Sequence, residues 1–279
     1  MVGRRLQVKA PALTTHLERL GPFDPGAMSE REARAEARAY YVGEHGYASR
    51  PSLLTLPESQ HKLGMSKRRS VGLSLAVAST SGDWNTCLWS TPGCRAVCVL
   101  LTAGKGTFPS VREGRELKTR FLAEHPQAFV TLLAAELRAQ VARYGPIDFR
   151  PNVASDLRWE RIAPALLHIR GVRVYDYTKA PAGQRDIVAN YPLTFSVSEL
   201  EHSVEEALEH LRSGTNAAVV FDTVKGHALP ATWNGFKVVD GDKGDSRRDD
   251  PRSVVVGLRA KGDARGGEST GFVKEGVAS

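Results

Sequence analysis

Cysteine is scarce in this chain. There are three among 279 residues, and all fall within twelve positions, as Cys87-x6-Cys94-x3-Cys98 in NTCLWSTPGCRAVCV. An odd, tightly grouped set excludes a disulfide framework and fits a reducing compartment, so the expected location is cytoplasmic. No run of about 18 apolar residues occurs, which excludes a hydropathy-predicted transmembrane helix. The opening MVGRRLQVKAPALTTHLERL has basic residues but no apolar h-region, so no secretory signal is expected. No G-x-S-x-G elbow occurs, which leaves no nucleophile-elbow hydrolase to consider. Paired Cys-x-x-Cys motifs and short internal repeats are absent too.

What is present is an ordinary globular balance, with 41% hydrophobic and 25% charged residues, enough for a sizeable core. The net charge of +7 makes nucleic acid a candidate partner beside a small molecule or nucleotide; no membrane partner and no particular oligomeric state are implied. Residues 1–69 read as a helical, basic accessory segment. It holds a charged helix from Ser29, where Ser29-x-x-Glu32 predicts a capping box, and ends on Lys67-Arg68-Arg69. Residues 70–273 read as an α/β domain and 274–279 as a flexible tail.

Within 70–273, apolar runs alternate with helical stretches. VGLSLAVAS (71–79) predicts a buried strand leading into the cysteine loop, and SVREGRELKTRFLAEH and AFVTLLAAELRAQVARYG predict helices. IDFRPNV, the helix LRWERIAPALLHIRG, VRVYDYT, LTFSVSE, the helix SVEEALEHLRSG, AAVVFDTV, FKVVDGD and SVVVGLRAK follow. About seven strands alternating with helices predict βαβ units: an incomplete (β/α) barrel, or a mainly parallel sheet with flanking helices.

In such folds ligands bind beyond the carboxyl ends of the strands. Those ends carry the cysteine loop and then Asn152 and Asp156, Lys179, Ser196 and Ser198, Asp222 and Asp240. These are the candidate cofactor- or substrate-binding residues; Asp156 and Ser198 read equally as helix caps. Cys87, Cys94 and Cys98 are candidate ligands of a soft metal, zinc or an iron–sulfur cluster, or else three inert buried thiols. His45 and His61 are available as a fourth ligand. Lys105, Arg112, Arg115, Lys118 and Arg120 form a basic run beside a weak glycine-rich anion loop, AGKGTFPS, suited to phosphates.

GLSLAVASTSGDWNTCLWSTPGCRAVC, GRELKTRFLAEHP, SDLRWE, YDYTK, LTFSVSE, VVFD and DGDKGDSRRDDPRSVVVGLRAKG resemble a family of uncharacterised three-cysteine-motif proteins of actinobacteriophages and actinobacteria. The TPGC-containing loop is similar, more loosely, to radical-SAM-like phage proteins. That resemblance implies a [4Fe–4S] cluster on Cys87, Cys94 and Cys98 at the mouth of a partial β/α barrel, with S-adenosylmethionine on the fourth iron. It implies an enzyme, and the phage context together with the basic charge balance suggests a nucleotide or a base in nucleic acid as the substrate, in the host cytoplasm if phage-encoded. The usual spacing there is Cys-x3-Cys-x2-Cys, and an aromatic residue commonly follows the last cysteine; here the spacing is wider and Val99 follows Cys98. A non-catalytic, zinc- or cluster-stabilised nucleic-acid-binding protein is the alternative.

Overall fold

Ser29 accepts from the Glu32 amide while Glu32 accepts from the Ser29 amide, so the expected capping box opens its helix. This computed structural model describes residues 10–265 and 270–276. Chain order begins with α1 (Leu13–Arg19), the capped α2 (Glu30–Arg38), β1 (Leu54–Thr55), α3 (His61–Gly64) and β2 (Ser70–Leu73). The one-turn helices α4 (Pro92–Ala96) and α5 (Val99–Thr102) carry the cysteine loop. Two long helices follow, α6 (Pro109–Glu124) and α7 (Pro126–Tyr144). His125 separates them because a residue before proline is pushed out of helical geometry, and Gly145 stops α7 at φ 75°.

Then come β3 (Ile147–Arg150), α8 (Trp159–Ile162), β4 (Val172–Val174), β5 (Asp176–Thr178) and β6 (Leu193–Ser196). The chain continues through α9 (Glu201–Arg212), β7 (Ala217–Phe221), β8 (Thr232–Trp233), β9 (Phe236–Asp240) and β10 (Val255–Arg259). The strands form two mixed sheets, ordered β1-β2-β3-β4 and β5-β6-β7-β10-β9-β8. All pairings are parallel except the edge strands β1 and β8. Only Tyr175 separates β4 from β5. Its amide donates to Phe149 of β3, and the next amide, Asp176, donates to Pro192 ahead of β6. One residue thus hands the chain from the first sheet to the second. No closed barrel forms among the described residues.

One core cluster joins α1 and α2 to β2, β3, β4, α6 and α7, so residues of 1–69 pack into the same interior as the first sheet. A second cluster sits between α9 and the strands β6, β7 and β10. No helix among the described residues is long and apolar enough to cross a membrane.

Three expectations change. The strand predicted over 71–79 ends at Leu73, because the apolar residues after it turn under the cysteine loop: the Ala76 amide donates to Thr119, and Ala78 takes φ 46°. The helix predicted from Leu157 is one turn of α8 and a 3-10 turn (Pro164–His168), since Pro164 cannot continue the helical hydrogen bonding. The expected seven strands become ten described strands in two sheets, because VRVYDYT splits at Tyr175 and the two-residue edges carry no periodic signal. Of the predicted tail, Lys274 bridges to Phe221 and Gly276 donates to Asp222; 277–279 lie outside the described residues.

Candidate active site

The loops leaving β2, β3, β5 and β6 enclose a cavity of about 360 Å³. Cys87, Cys94 and Cys98 all border it, together with the predicted Asn152, Asp156, Lys179 and Ser196. Its other walls are largely apolar, from Val77, Ala78, Val153, Ala154, Leu100 and Leu101. A mostly apolar recess with a few convergent polar groups is the ordinary form of a small-molecule site.

Each thiol is placed by its own local structure. Cys87 follows Thr86, whose hydroxyl donates to Ala76, and its sulfur receives the Ala78 amide at 3.4 Å. Cys94 lies in α4, where Thr91 caps the helix by accepting from the Cys94 amide and Pro92 occupies the first turn. Cys98 begins α5, and the Leu100 and Leu101 amides point at its sulfur. All three are free thiols. Burial pushes the Cys87 thiol up to about 12 and raises Cys94 and Cys98 as well. The donors share a wall without forming a finished ligand set: among the described residues no three His, Cys, Asp or Glu side chains stand arranged to hold a metal.

Glu199, one residue past Ser198, reaches back to this loop. Its carboxylate accepts from Thr91 Oγ1 at 2.6 Å and from the Gly93 amide at 2.7 Å. Burial alone would raise its pKa, but the hydrogen bonds from Thr91, Gly93 and its own amide, together with the nearby Lys179 charge, hold it below the usual carboxylate range. Gly93 must be glycine there, since a Cβ would stand 2.6 Å from Glu199 Cδ and from Thr270 Oγ1.

The polar wall is a connected network. Lys179 Nζ donates to Ser196 Oγ at 2.7 Å and to the carbonyls of Ser196 and Val197. Burial lowers its pKa, and nearby Cys94, Asp156 and Glu199 oppose that shift. Asp156 accepts from the Lys179 amide and Thr178 Oγ1, and from Arg185 at 2.9 Å. Arg185 also grips Glu160 through two bonds of 2.6 and 2.9 Å. Asn152 is fully engaged: its amide group donates to Leu157 and Tyr191, and its oxygen accepts from Ser155, Leu157 and Trp159.

Of the predicted residues, Cys87, Cys94, Cys98, Asn152, Asp156, Lys179 and Ser196 therefore meet at one cavity, while Ser198, Asp222 and Asp240 do not border it. Ser198 shapes the turn into α9, donating its amide to Ser203 and accepting from Leu200. Asp222 holds Gly276, and Asp240 pairs with Arg259 at 2.9 Å. His45 packs on Tyr40, and His61 borders a separate shallow recess. The cations proposed for phosphates are engaged elsewhere. Lys105, Arg112, Arg115 and Lys118 donate to backbone carbonyls of Ser59, Leu101, Gly106, Leu100 and Leu53, and Arg120 to Ser81 and Asp83. In the glycine-rich stretch, Gly106 packs directly on Leu100, where a Cβ would meet its carbonyl at 2.0 Å.

Sequence reasoning passed over Arg150 and Arg185, and it did not count Glu199 among the site residues. Arg150 left one signal, a charge inside a buried strand run, where charged groups occur paired. Arg185 lies in a polar loop and left none.

A family model described as Gene product 88 matches residues 33–276. No curated protein and no solved structure matches the chain. With most of its length matched, the chain belongs to the Gene product 88 family.

Proposed function

We propose that this chain is an iron–sulfur enzyme of radical-SAM-like type, acting on a nucleotide or nucleic-acid base in phage DNA or nucleotide modification. The observation that carries this reading is the convergence of Cys87, Cys94 and Cys98 on one cavity at the carboxyl ends of parallel strands. The continuity of β2, β3, β4 and β5 through Tyr175, followed by β6, β7 and β10, supports describing the fold as an incomplete β/α barrel. Reduced thiols suit a host cytoplasm.

The donors fit such a group in kind. Three soft thiols would hold a [4Fe–4S] cluster and leave one iron open for S-adenosylmethionine. When bound, that pair supplies one-electron, radical-generating chemistry. The chain's own residues do the rest. The amides aimed at Cys87 and Cys98 favour charged sulfur over neutral thiol, and the apolar wall of Val77, Ala78, Ala154, Leu100 and Leu101 excludes water. Lys179, fixed on Ser196, offers positive charge beside Cys94, and Asp156 orders the Thr178–Lys179 turn.

Anaerobic purification with iron, sulfide and zinc analysis tests this. The expected result is a brown protein whose charge-transfer absorption disappears in Cys94→Ala. Colourless protein holding stoichiometric zinc would overturn the iron assignment and leave the zinc-stabilised nucleic-acid-binding alternative.

A further inference from the structure

Lys67-Arg68-Arg69 leads directly into β2, Arg143-Tyr144 comes just before β3, and Arg170 and Arg173 flank the start of β4. These strands are adjacent and parallel, so the three approaches lie side by side at their amino ends. Backbone bonds sew them together: the Asp148 amide donates to Arg69 and the Ile147 amide to Gly171, both at 2.9 Å. Arg68 Nη1 reaches across to the Pro146 carbonyl at 3.4 Å. The cavity is lined by the loops that leave β2 and β3, so this basic face stands at the other end of the same sheet. For strands of four residues that is about 13 Å away.

The acids on this face are already committed. Arg173 forks Asp148 at 2.7 and 3.0 Å and Asp249 at 2.9 and 3.3 Å. Arg69 forks Glu58 at 2.7 and 3.3 Å and stands 3.9 Å from the Tyr144 ring centroid. Arg248, within reach of Asp148 and Asp249, donates to the Val174 carbonyl. By charge, then, Glu58, Asp148 and Asp249 balance Arg69, Arg173 and Arg248. Lys67, Arg68, Arg143 and Arg170 are left over, the larger part of the chain's net charge of +7. Lys67, Arg143 and Arg170 are exposed and make no hydrogen bond or ion pair among the described residues. Arg68 stands 3.9 Å from Asp148 and keeps 39% of its side chain exposed.

These cations spread over two strand spacings, about 10 Å, which is more than one free phosphate can use. A chain of phosphates presents charge at repeated intervals, and duplex DNA carries one per about 1.7 Å of axis. Arginine suits such oxygens because its fork donates in pairs. An anionic membrane would ask for apolar side chains to sink beside the charges. Here the Tyr144 ring is held against the Arg69 guanidinium instead.

We propose that the amino-end face of the first sheet docks the phosphate backbone of nucleic acid without reading its sequence, leaving the cavity at the opposite end open. The face contains none of the three cysteines, so the proposal does not rest on the iron–sulfur reading.

The test is fluorescence anisotropy of the full chain with two unrelated labelled 20-base-pair DNA duplexes, titrated with salt. Four phosphates at about 0.9 each predict a log–log salt slope of roughly −3.6, with both duplexes bound within about threefold of each other. Arg143→Gln and Arg170→Gln should each make the slope shallower by about 0.9 and weaken both duplexes alike. Both side chains are exposed, so the melting temperature should not move. Lys225→Gln, in the loop leaving β7, removes the same charge elsewhere and should change nothing. No binding to DNA, a wild-type slope in both arginine variants, or an equal loss in Lys225→Gln each overturns the proposal. So does tighter capture by phosphatidylserine vesicles than by DNA, which would assign the face to a membrane. Metal analysis decides the iron–sulfur reading separately, so the two can fail independently.

Discussion

The Glu199 carboxylate accepts the Gly93 amide at 2.7 Å, joining the end of the β6 segment to the first turn of the helix that carries Cys94. Across 106 residues of sequence, this contact and its companion from Thr91 fix where the second thiol stands. Hydrogen bonds to a charged group contribute about 1.5–3 kcal/mol. Glu199→Ala should therefore lower the melting temperature and raise the labelling rate of Cys94 severalfold, leaving Cys87 slow. Glu199→Gln, which can accept but carries no charge, should recover part of the loss. A Cys94 rate unchanged in Glu199→Ala would show that α4 holds its place without the carboxylate.

The three thiols should separate by rate. Thiolate is the reactive form, and burial raises all three pKa values, with Cys87 pushed up to about 12. At pH 8 the metal-free chain should label slowly throughout and slowest at Cys87. The Cys87 rate should keep climbing about tenfold per pH unit up to the limit of folding. Mass spectrometry of quenched digests reads all three sites in one experiment. A Cys87 rate that levels off near pH 9 would contradict this assignment. If the thiols ligate a metal as proposed, uptake must displace the same protons, and zinc or iron affinity should then rise with pH across the neutral range.

Much of this cavity is legible in the sequence, and the reason is geometric. Parallel strands place whatever follows them on one side of the sheet, so reading strand ends brought Cys87, Asn152, Asp156, Lys179 and Ser196 together without knowing a single contact. Ser198 shows the limit of that rule. A serine between a strand and a helix serves the turn as readily as the site, and its hydroxyl accepts from Leu200. Arg185 is hidden for another reason: its ion-pair partners lie 25 and 29 residues away, and no local period encodes a long-range ion pair; Glu199 stands at the end of LTFSVSE, but nothing local shows that it clamps a loop 106 to 108 residues away. The two-residue strands β1 and β8 are too short for alternation to register.

Arg185 should be the most sensitive charged position near the cavity. It is almost fully buried, as are Glu160 and Asp156, which it bridges. Removing one partner of a buried ion network leaves the other charges unpaired, which costs about 3–5 kcal/mol. Arg185→Met keeps the volume and deletes the charge. Denaturant titration should show that loss, with the Asp156-held Thr178–Lys179 turn loosened as well. If Arg185→Met is as stable as the wild type, the network is not structural. The double substitution with Glu160→Gln should recover part of the loss, because it removes one of the stranded carboxylates.

Lys118 sets an alkaline dependence whose sign is fixed. Burial lowers its pKa to about 8, while its Nζ donates to the Leu53 carbonyl at 2.8 Å and Glu136 opposes the shift. In the unfolded chain a lysine keeps its proton to about pH 10.4. Between about 8 and 10.4 the unfolded state thus binds more protons than the folded one, and unfolding free energy contributed by this group rises with pH. Below pH 8 both states are protonated, and the folded state bears the full desolvation penalty of a buried ammonium. Lys118→Met removes that titration. The stability difference between wild type and Lys118→Met should shift in favour of the wild type as pH rises from 7.5 to 10, measured by urea titration at each pH. A difference that stays flat across that window would mean Lys118 keeps an ordinary pKa, with its ammonium solvated beside Leu53.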